Sequence, residues 1–171
     1  MSTFNRPHFL KMQLECILKQ TYKNFEIVIS DNDIGQSAKK VVECFKDKRI
    51  RYFANVENLG MIKSFNKSIE RSVGDFIVMI TDDDPIYEDS LQILVDLRNK
   101  FPNYGVYAGC GDWIIGNESA AYTQKLSIGS HSKISNFIEP NAVEIINSRD
   151  FLYEYIAGKL SKAFYYGVAQ W

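Results

Sequence analysis

Gln20-Thr21-Tyr22-Lys23-Asn24-Phe25-Glu26-Ile27-Val28-Ile29-Ser30-Asp31-Asn32-Asp33 runs from a polar approach, through a β-rich stretch, into an acidic turn. Phe25 to Ser30 predicts a strand, and Asp31-Asn32-Asp33 the turn that ends it. On the N-terminal side, Pro7 suits the first turn of a helix, where its missing N–H costs nothing. Phe9, Leu10, Leu14, Ile17 and Leu18 then recur at helical period. On the C-terminal side, Ser37 to Phe45 reads as a helix with Ala38, Val41, Val42 and Phe45 inward, and Ile50 to Ala54 as a short strand.

The alternation continues. Asn58 is placed to cap a helix whose apolar stripe is Ile62, Phe65, Ile69 and Val73, with Gly74 as its stop. Asp75 to Ile80 is the most apolar strand, the kind buried on both faces of a parallel sheet, and it runs into Thr81-Asp82-Asp83-Asp84-Pro85. Glu88 to Phe101 predicts a helix ending before Pro102, and Tyr104 to Cys110 a strand. Gly111 to Asn136, rich in Gly, Ser and Asn, reads as a hairpin or long excursion. Ser148 to Ile156 reads as a helix and Ala163 to Trp171 as a strand. Such alternation predicts an α/β fold, a doubly wound and mostly parallel sheet with right-handed crossovers. Ligands bind such sheets at the carboxyl ends of the strands. Ser2-Thr3-Phe4-Asn5, Asp31-Asn32-Asp33 and Asp82-Asp83-Asp84 all fall on that side.

Composition narrows the classes. With 171 residues, 46% hydrophobic and 24% charged, the chain is globular and suits one domain. A net charge of −1 argues against duplex nucleic acid as a partner. No run approaches a membrane span, and the first residues lack the apolar core of a signal peptide. Cys16, Cys44 and Cys110 are scattered and distant in sequence from His8 and His131, which predicts three reduced core thiols in a cytoplasmic protein. Neither Gly-x-x-x-x-Gly-Lys-Ser/Thr nor Gly-x-Gly-x-x-Gly occurs, which disfavours a nucleoside-triphosphate hydrolase and a dinucleotide dehydrogenase.

Three adjacent carboxylates raise each other's pKa unless a cation sits among them. Oxygen donors without nearby His or Cys favour Mg²⁺ or Mn²⁺, usually shared with substrate phosphates. Asp82-Asp83-Asp84 is therefore either such a site or a solvated, helix-capping turn. Asp31 either accepts from an imide N–H of a base or serves an ordinary turn. Lys63 and Arg6 are candidates for phosphate or for solvent, and Tyr107, Trp113 and Tyr122 for a sugar face or for packing.

The segments Ser2 to Pro7, Gln20 to Asn32, Asn58-Leu59-Gly60, Ser64-Phe65-Asn66, Gly74 to Ile77 and Thr81 to Pro85 come in one order at close intervals. Over residues 2 to 110 the chain resembles the family-two, inverting nucleotide-sugar glycosyltransferases of the GT-A fold. Gln-Thr-Tyr-x-Asn-Phe-Glu and the acidic Asp-x-Asp-type motif are the specific parts. The resemblance implies that Thr3, Phe4 and Asn5 line the nucleotide, that Asp31 reads the base, and that Asp82 lies near the ribose. It implies Asp83 as the ligand of a Mn²⁺ or Mg²⁺ cofactor, with Asp84 in support. Asn58-Leu59-Gly60 matches the start of the family's third helix. Phe65 and Ser68 stand where an Arg and a Gly are common, so the phosphate role of Lys63 rests on its position alone.

The implied partners are a nucleotide-diphosphate sugar donor and a glycan or lipid-linked acceptor, in surface polysaccharide synthesis. The implied place is the cytoplasm, with peripheral association at the inner face of a membrane. Residues 1–110 correspond to the donor-binding half, and 111–171 to the start of an incomplete acceptor-side half. The family's catalytic base is expected beyond Trp171, and the apolar strand before Thr3 is reduced to Met1 and Ser2. The expectation is therefore a fragment that transfers no sugar. The rivals are a nucleotide-binding protein without turnover and a phospho-receiver domain. The latter is disfavoured because Gly111-Asp112, not a Lys, follows Tyr104 to Cys110.

Overall fold

A computed structural model describes residues 1–103, 105 and 107, together with two short strands at 114–115 and 127–128. Met1–Tyr107 make one compact unit. Its strands β1 (Ser2–Thr3), β2 (Ile27–Asp31) and β3 (Ile50–Ala54) form a parallel sheet in that order. The register sets Ser2 beside Ser30, Thr3 beside Asp31, and Asp31 beside Ala54. Helices α1 (Pro7–Leu18), α2 (Lys39–Phe45), α3 (Met61–Glu70) and α4 (Ser90–Lys100) alternate with the strands or follow them. This is the expected α/β arrangement.

β2 is buried throughout, and its alternation sorts two unlike faces. Ile27 and Ile29 join Leu10, Leu14 and Ile17 of α1, Met1 and Ala38 in the apolar core, with Val42 and Phe45 of α2 packed against it. Leu14 and Ile29 have no exposed surface. Burying a side chain of that size contributes about 1.5–3 kcal/mol. Ser30, one position on, faces α3 and meets Ser64 Oγ at 3.1 Å.

That second face corrects the predicted stripe of the third helix. Ile62 is 72% exposed and Val73, beyond the helix end, is 80% exposed. α3 instead turns Ser64 and Ser68 inward. The sheet face opposite it is polar, and small hydroxyl side chains satisfy it where Ile would leave donors and acceptors unpaired. Asn58 is not the cap of this helix either. Gly60 holds that position at φ +75°, and Asn58 Oδ1 accepts from Gly60 N at 2.9 Å in a tight turn before it.

The run Asp75 to Ile80 forms no ladder, a second correction. Phe76 and Ile77 are about half exposed. A strand needs a partner of matching length, and β1 contributes two residues. α4 forms close to its predicted place and is tied down by the Gln-Thr pair after α1. Gln20 Nε2 donates to Tyr87 O at 2.5 Å, Leu91 N donates to Gln20 Oε1 at 3.0 Å, and Thr21 N donates to Glu88 O at 2.7 Å.

β4 (Ile114–Ile115) and β5 (Ser127–Ile128) pair antiparallel, as a hairpin within Gly111 to Asn136 requires. The strand Tyr104 to Cys110 lies largely outside the described residues, and the elements at Ser148 to Ile156 and Ala163 to Trp171 lie wholly outside them, with Cys110, Trp113, Tyr122 and His131. Cys16 is half-buried, but Cys44 is exposed and so is not the core thiol expected. Among the described residues no helix is long and apolar enough to cross a membrane.

Candidate functional site

At the carboxyl end of β1, Thr3 Oγ1 donates to Asp82 Oδ2 at 2.6 Å, and both side chains are buried. The Arg6 guanidinium donates to Asp82 Oδ1 and, at 2.5 Å, to Asp83 Oδ2. Burial pushes the Asp82 carboxyl up, while the Thr3 hydroxyl and the Arg6 charge favour its ionised form. Asp83 sits at the rim with its side chain 36% exposed. Asp84 turns away: its Oδ2 accepts from Thr81 Oγ1 at 2.6 Å, and its carbonyl accepts from Gln13 Nε2 at 2.8 Å. α1 therefore holds the acidic turn at its base through Gln13, while Arg6 holds it at its mouth.

The end of β2 adjoins this cluster through the β1 ladder, with Asn32 N donating to Thr3 O at 2.9 Å. Asp31 is fully buried; Tyr52 Oη donates to its Oδ2 at 2.6 Å and Asp33 N to its Oδ1 at 3.0 Å. Asn32 Nδ2 donates to Asn58 Oδ1 at 2.7 Å, and Asn32 Oδ1 accepts from Leu59 N at 2.8 Å. These bonds fix the Asn58-Leu59-Gly60 loop beside the end of the sheet. Behind it, Ser30, Asn55, Ser64 and Arg71 share a buried polar network, and Ser2 donates to Ser64 Oγ at 2.7 Å. Phe4 is 50% exposed, and Asn5 adopts φ +52°, a conformation Asn tolerates better than most residues.

Thr3, Asp82 and Asp83 thus come together around Arg6, with Asp31 directly beside Thr3 on the neighbouring strand. Asp84 faces into its own turn, and Lys63 stands exposed on α3 with no bond to the acidic cluster. Gln13, Gln20, Tyr52 and Asn55 escaped the apolar periodicity, although all four are central to this end of the sheet. Gln13 was within reach of it, since it lies three residues after Leu10 on the buried face of α1.

Among the described residues no three His, Cys, Asp or Glu side chains converge as a metal-ligand set. The donors nevertheless fit an ion shared with a ligand. Asp82 and Asp83 already hold one cation, the Arg6 guanidinium. Mg²⁺ in particular is commonly held by one or two carboxylates plus phosphates and water.

The profile described as glycosyl transferase family 2 matches residues 1–153. The chain belongs to this family. The parallel sheet with flanking helices is accordingly the α/β, Rossmann-like arrangement of the GT-A fold, and family membership sets aside the phospho-receiver alternative. A GalNAc(5)-diNAcBac-PP-undecaprenol β-1,3-glucosyltransferase of Campylobacter jejuni is 31% identical over 101 residues, covering 57% of this chain and 33% of that protein. A UDP-Glc:α-D-GlcNAc-diphosphoundecaprenol β-1,3-glucosyltransferase of Escherichia coli is 24% identical over 143 residues, covering 84% and 51%. An uncharacterized glycosyltransferase of Rickettsia felis is 36% identical over 91 residues, covering 53% and 15%. The matched part of the chain therefore spans about half or less of the length of these family-2 relatives.

Proposed function

We propose that the protein is a glycosyltransferase that moves a sugar from a nucleotide-diphosphate donor to an acceptor hydroxyl in glycan synthesis. The buried Asp82, held by Thr3 and Arg6 with Asp83 at the rim, is the observation that carries this. In the proposal residues 1–110 make the donor side and 111–171 begin the acceptor side. The acceptor class is lipid-linked, supported by the two relatives whose names specify undecaprenol-linked acceptors. Such an acceptor places the reaction at a membrane surface, with the protein bound peripherally on the cytoplasmic side.

Asp83, supported by Asp82, would hold a Mn²⁺ or Mg²⁺ ion. Such an ion supplies positive charge to a departing diphosphate. Thr3 orients Asp82 from below, so that carboxylate is presented without a search through rotamers. Half-exposed Phe4 offers a ring face to base or ribose, and Asn5 directs the chain away beneath it. Asp31 stands on the base side. Because its carboxylate has no exposed surface, direct contact with an imide N–H requires its bond from Tyr52 to open. Lys63, exposed on α3, is the diphosphate-side lysine of the proposal.

Calorimetric titration with uridine diphosphate, with Mn²⁺ and with chelator, tests the donor site. Binding should require the metal and be lost in Asp83→Asn. Equal affinity in chelator removes the metal from the proposal, and failure to bind any nucleoside diphosphate removes the donor site.

A further inference from the structure

Arg6 is the cluster member to which the donor-site proposal gives no task in turnover. Its guanidinium spans Asp82 and Asp83, and together with Thr3 it leaves Asp82 with both carboxylate oxygens engaged. Asp83 keeps one oxygen, Oδ1, outside the bridge. A cation arriving at these carboxylates therefore meets a positive charge already in place.

We infer that Arg6 is an exchangeable counter-ion: it occupies the carboxylates while the donor site is empty and passes to the donor's diphosphate when a divalent cation takes its place. The inference rests on the donor-site reading and adds the order of events within it.

Three features support the exchange. Asp82 is fully buried, and a buried carboxylate left charged without a partner is costly, so replacing one cation by another avoids a cost that release of Arg6 alone would incur. Arg6 is 42% exposed, so its side chain has solvent to move into. Its backbone does not share that freedom, because Arg6 immediately precedes Pro7, the first residue of α1. Movement is then confined to the side chain, which also passes 5.9 Å from the Phe9 ring centroid, a face that tolerates a guanidinium in transit. At the far end of the swing, the planar fork of donors that now spans two carboxylates matches two phosphate oxygens equally well. Each charged group keeps a partner of opposite sign before and after the exchange. The divalent ion replaces the guanidinium on the aspartates, and the guanidinium offsets part of the diphosphate.

The consequence is coupling. The metal alone must displace Arg6 without compensation and binds weakly. With a diphosphate present, displaced Arg6 gains a new partner, so each ligand strengthens the other by the same factor.

The test measures Mn²⁺ alone, uridine diphosphate alone and both together on the 171-residue chain and on Arg6→Gln. The parent chain should bind Mn²⁺ at least about fivefold tighter when uridine diphosphate is present. Arg6→Gln should bind Mn²⁺ alone more tightly than the parent, lose most of that coupling, and bind uridine diphosphate more weakly at saturating Mn²⁺. Metal-dependent nucleotide binding in both proteins, with unchanged affinity for Mn²⁺ alone, overturns the exchange and leaves the donor site standing. No binding of metal or nucleotide by either protein overturns both. Because loss of Arg6 leaves Asp82 without its charge partner and threatens folding, a second measurement uses the parent chain. Arginine side-chain NMR during a Mg²⁺ titration should show the Arg6 N–H signals losing their hydrogen-bonded character as Mg²⁺ binds. Unchanged Arg6 signals at Mg²⁺ saturation overturn the exchange.

Discussion

Tyr52 Oη donates to Asp31 Oδ2 at 2.6 Å, joining the middle of β3 to the carboxyl end of β2. Burial and the adjacent carboxylate push the phenol well above its usual value of 10.0. The folded state therefore keeps this proton where the unfolded chain loses it, and stability falls as pH rises above about 10. Ultraviolet titration should show a tyrosine that ionises only on unfolding and whose signal is missing from Tyr52→Phe. Tyr52→Phe should cost about 1–3 kcal/mol in urea denaturation, since Asp31 stays buried with one bond fewer. A neutral Tyr52→Phe would mean that Asp31 reaches solvent more readily than the structure shows.

The Gln20 clamp should matter more than any surface bond of α4. Gln20→Leu takes from Leu91 N its side-chain acceptor, at about 1–3 kcal/mol if that N–H stays buried, while Tyr87 O keeps the bond from Ser90 N. Hydrogen exchange at Leu91 should accelerate while exchange in β2 at Ile29 stays slow. Uniform acceleration would assign Gln20 to the global core instead.

The strands β2 and β3 and the helices α1, α2 and α4 were legible because their apolar residues carry the period of the element they build, as Leu10, Leu14 and Ile17 do. α3 was legible as a helix but not in its orientation. Its apolar residues suggested one face, while the sheet it packs on presents Ser2, Ser30 and Asn55 and takes Ser64. That preference lives in the partner surface, which periodicity within the helix does not carry. The site was legible as three polar clusters at strand ends, and Thr3, Asp82 and Asp83 did converge. The bonds that set their roles were not. Nothing in the local pattern distinguishes Asp82, fully buried under Arg6, from Asp84, bonded within its own turn.

Asp47 supplies an acid-side marker away from the site. Its carboxyl is pulled down from 3.8 to about 2, chiefly by the Arg49 side chain and backbone N–H. The unfolded carboxyl takes up its proton first as pH drops, so the pair's stabilisation is present above 3.8 and is lost as pH falls through about 2. Carbon-detected NMR should show the Asp47 carboxyl taking up its proton at about 2, well below 3.8. Arg49→Gln should return it toward 3.8.

The Ser64 contact sets how closely α3 approaches the sheet. Ser64→Val adds bulk where Ser30 Oγ lies at 3.1 Å and removes the acceptor of the Ser2 hydroxyl. Overpacking of this kind costs about 1–3 kcal/mol. Ser64→Ala should cost less, since it removes the bonds without the clash. The reverse order in chemical denaturation would show that the larger side chain fits, and that close packing at Ser64 does not set the approach of the helix.

Thr3 and Asp82 should prove coupled in a double-mutant cycle. Thr3→Val keeps the shape and removes the hydroxyl proton that Asp82 Oδ2 accepts. Hydrogen bonds to charged groups contribute about 1.5–3 kcal/mol, so the single substitution should cost that much. Asp82→Asn removes the charge but leaves an amide that can be oriented to accept from Thr3. Arg6 keeps its bond to Asp83 in that variant, so the cluster's mouth stays closed. Thr3→Val made in the Asp82→Asn background should then cost about 0.5–1.5 kcal/mol, the range of a neutral hydrogen bond. The difference is the part of the Thr3 bond that depends on the carboxylate charge. A difference near zero would mean that Thr3 packs beneath a neutral Asp82, and that the proton, not Arg6, is what balances the buried carboxyl.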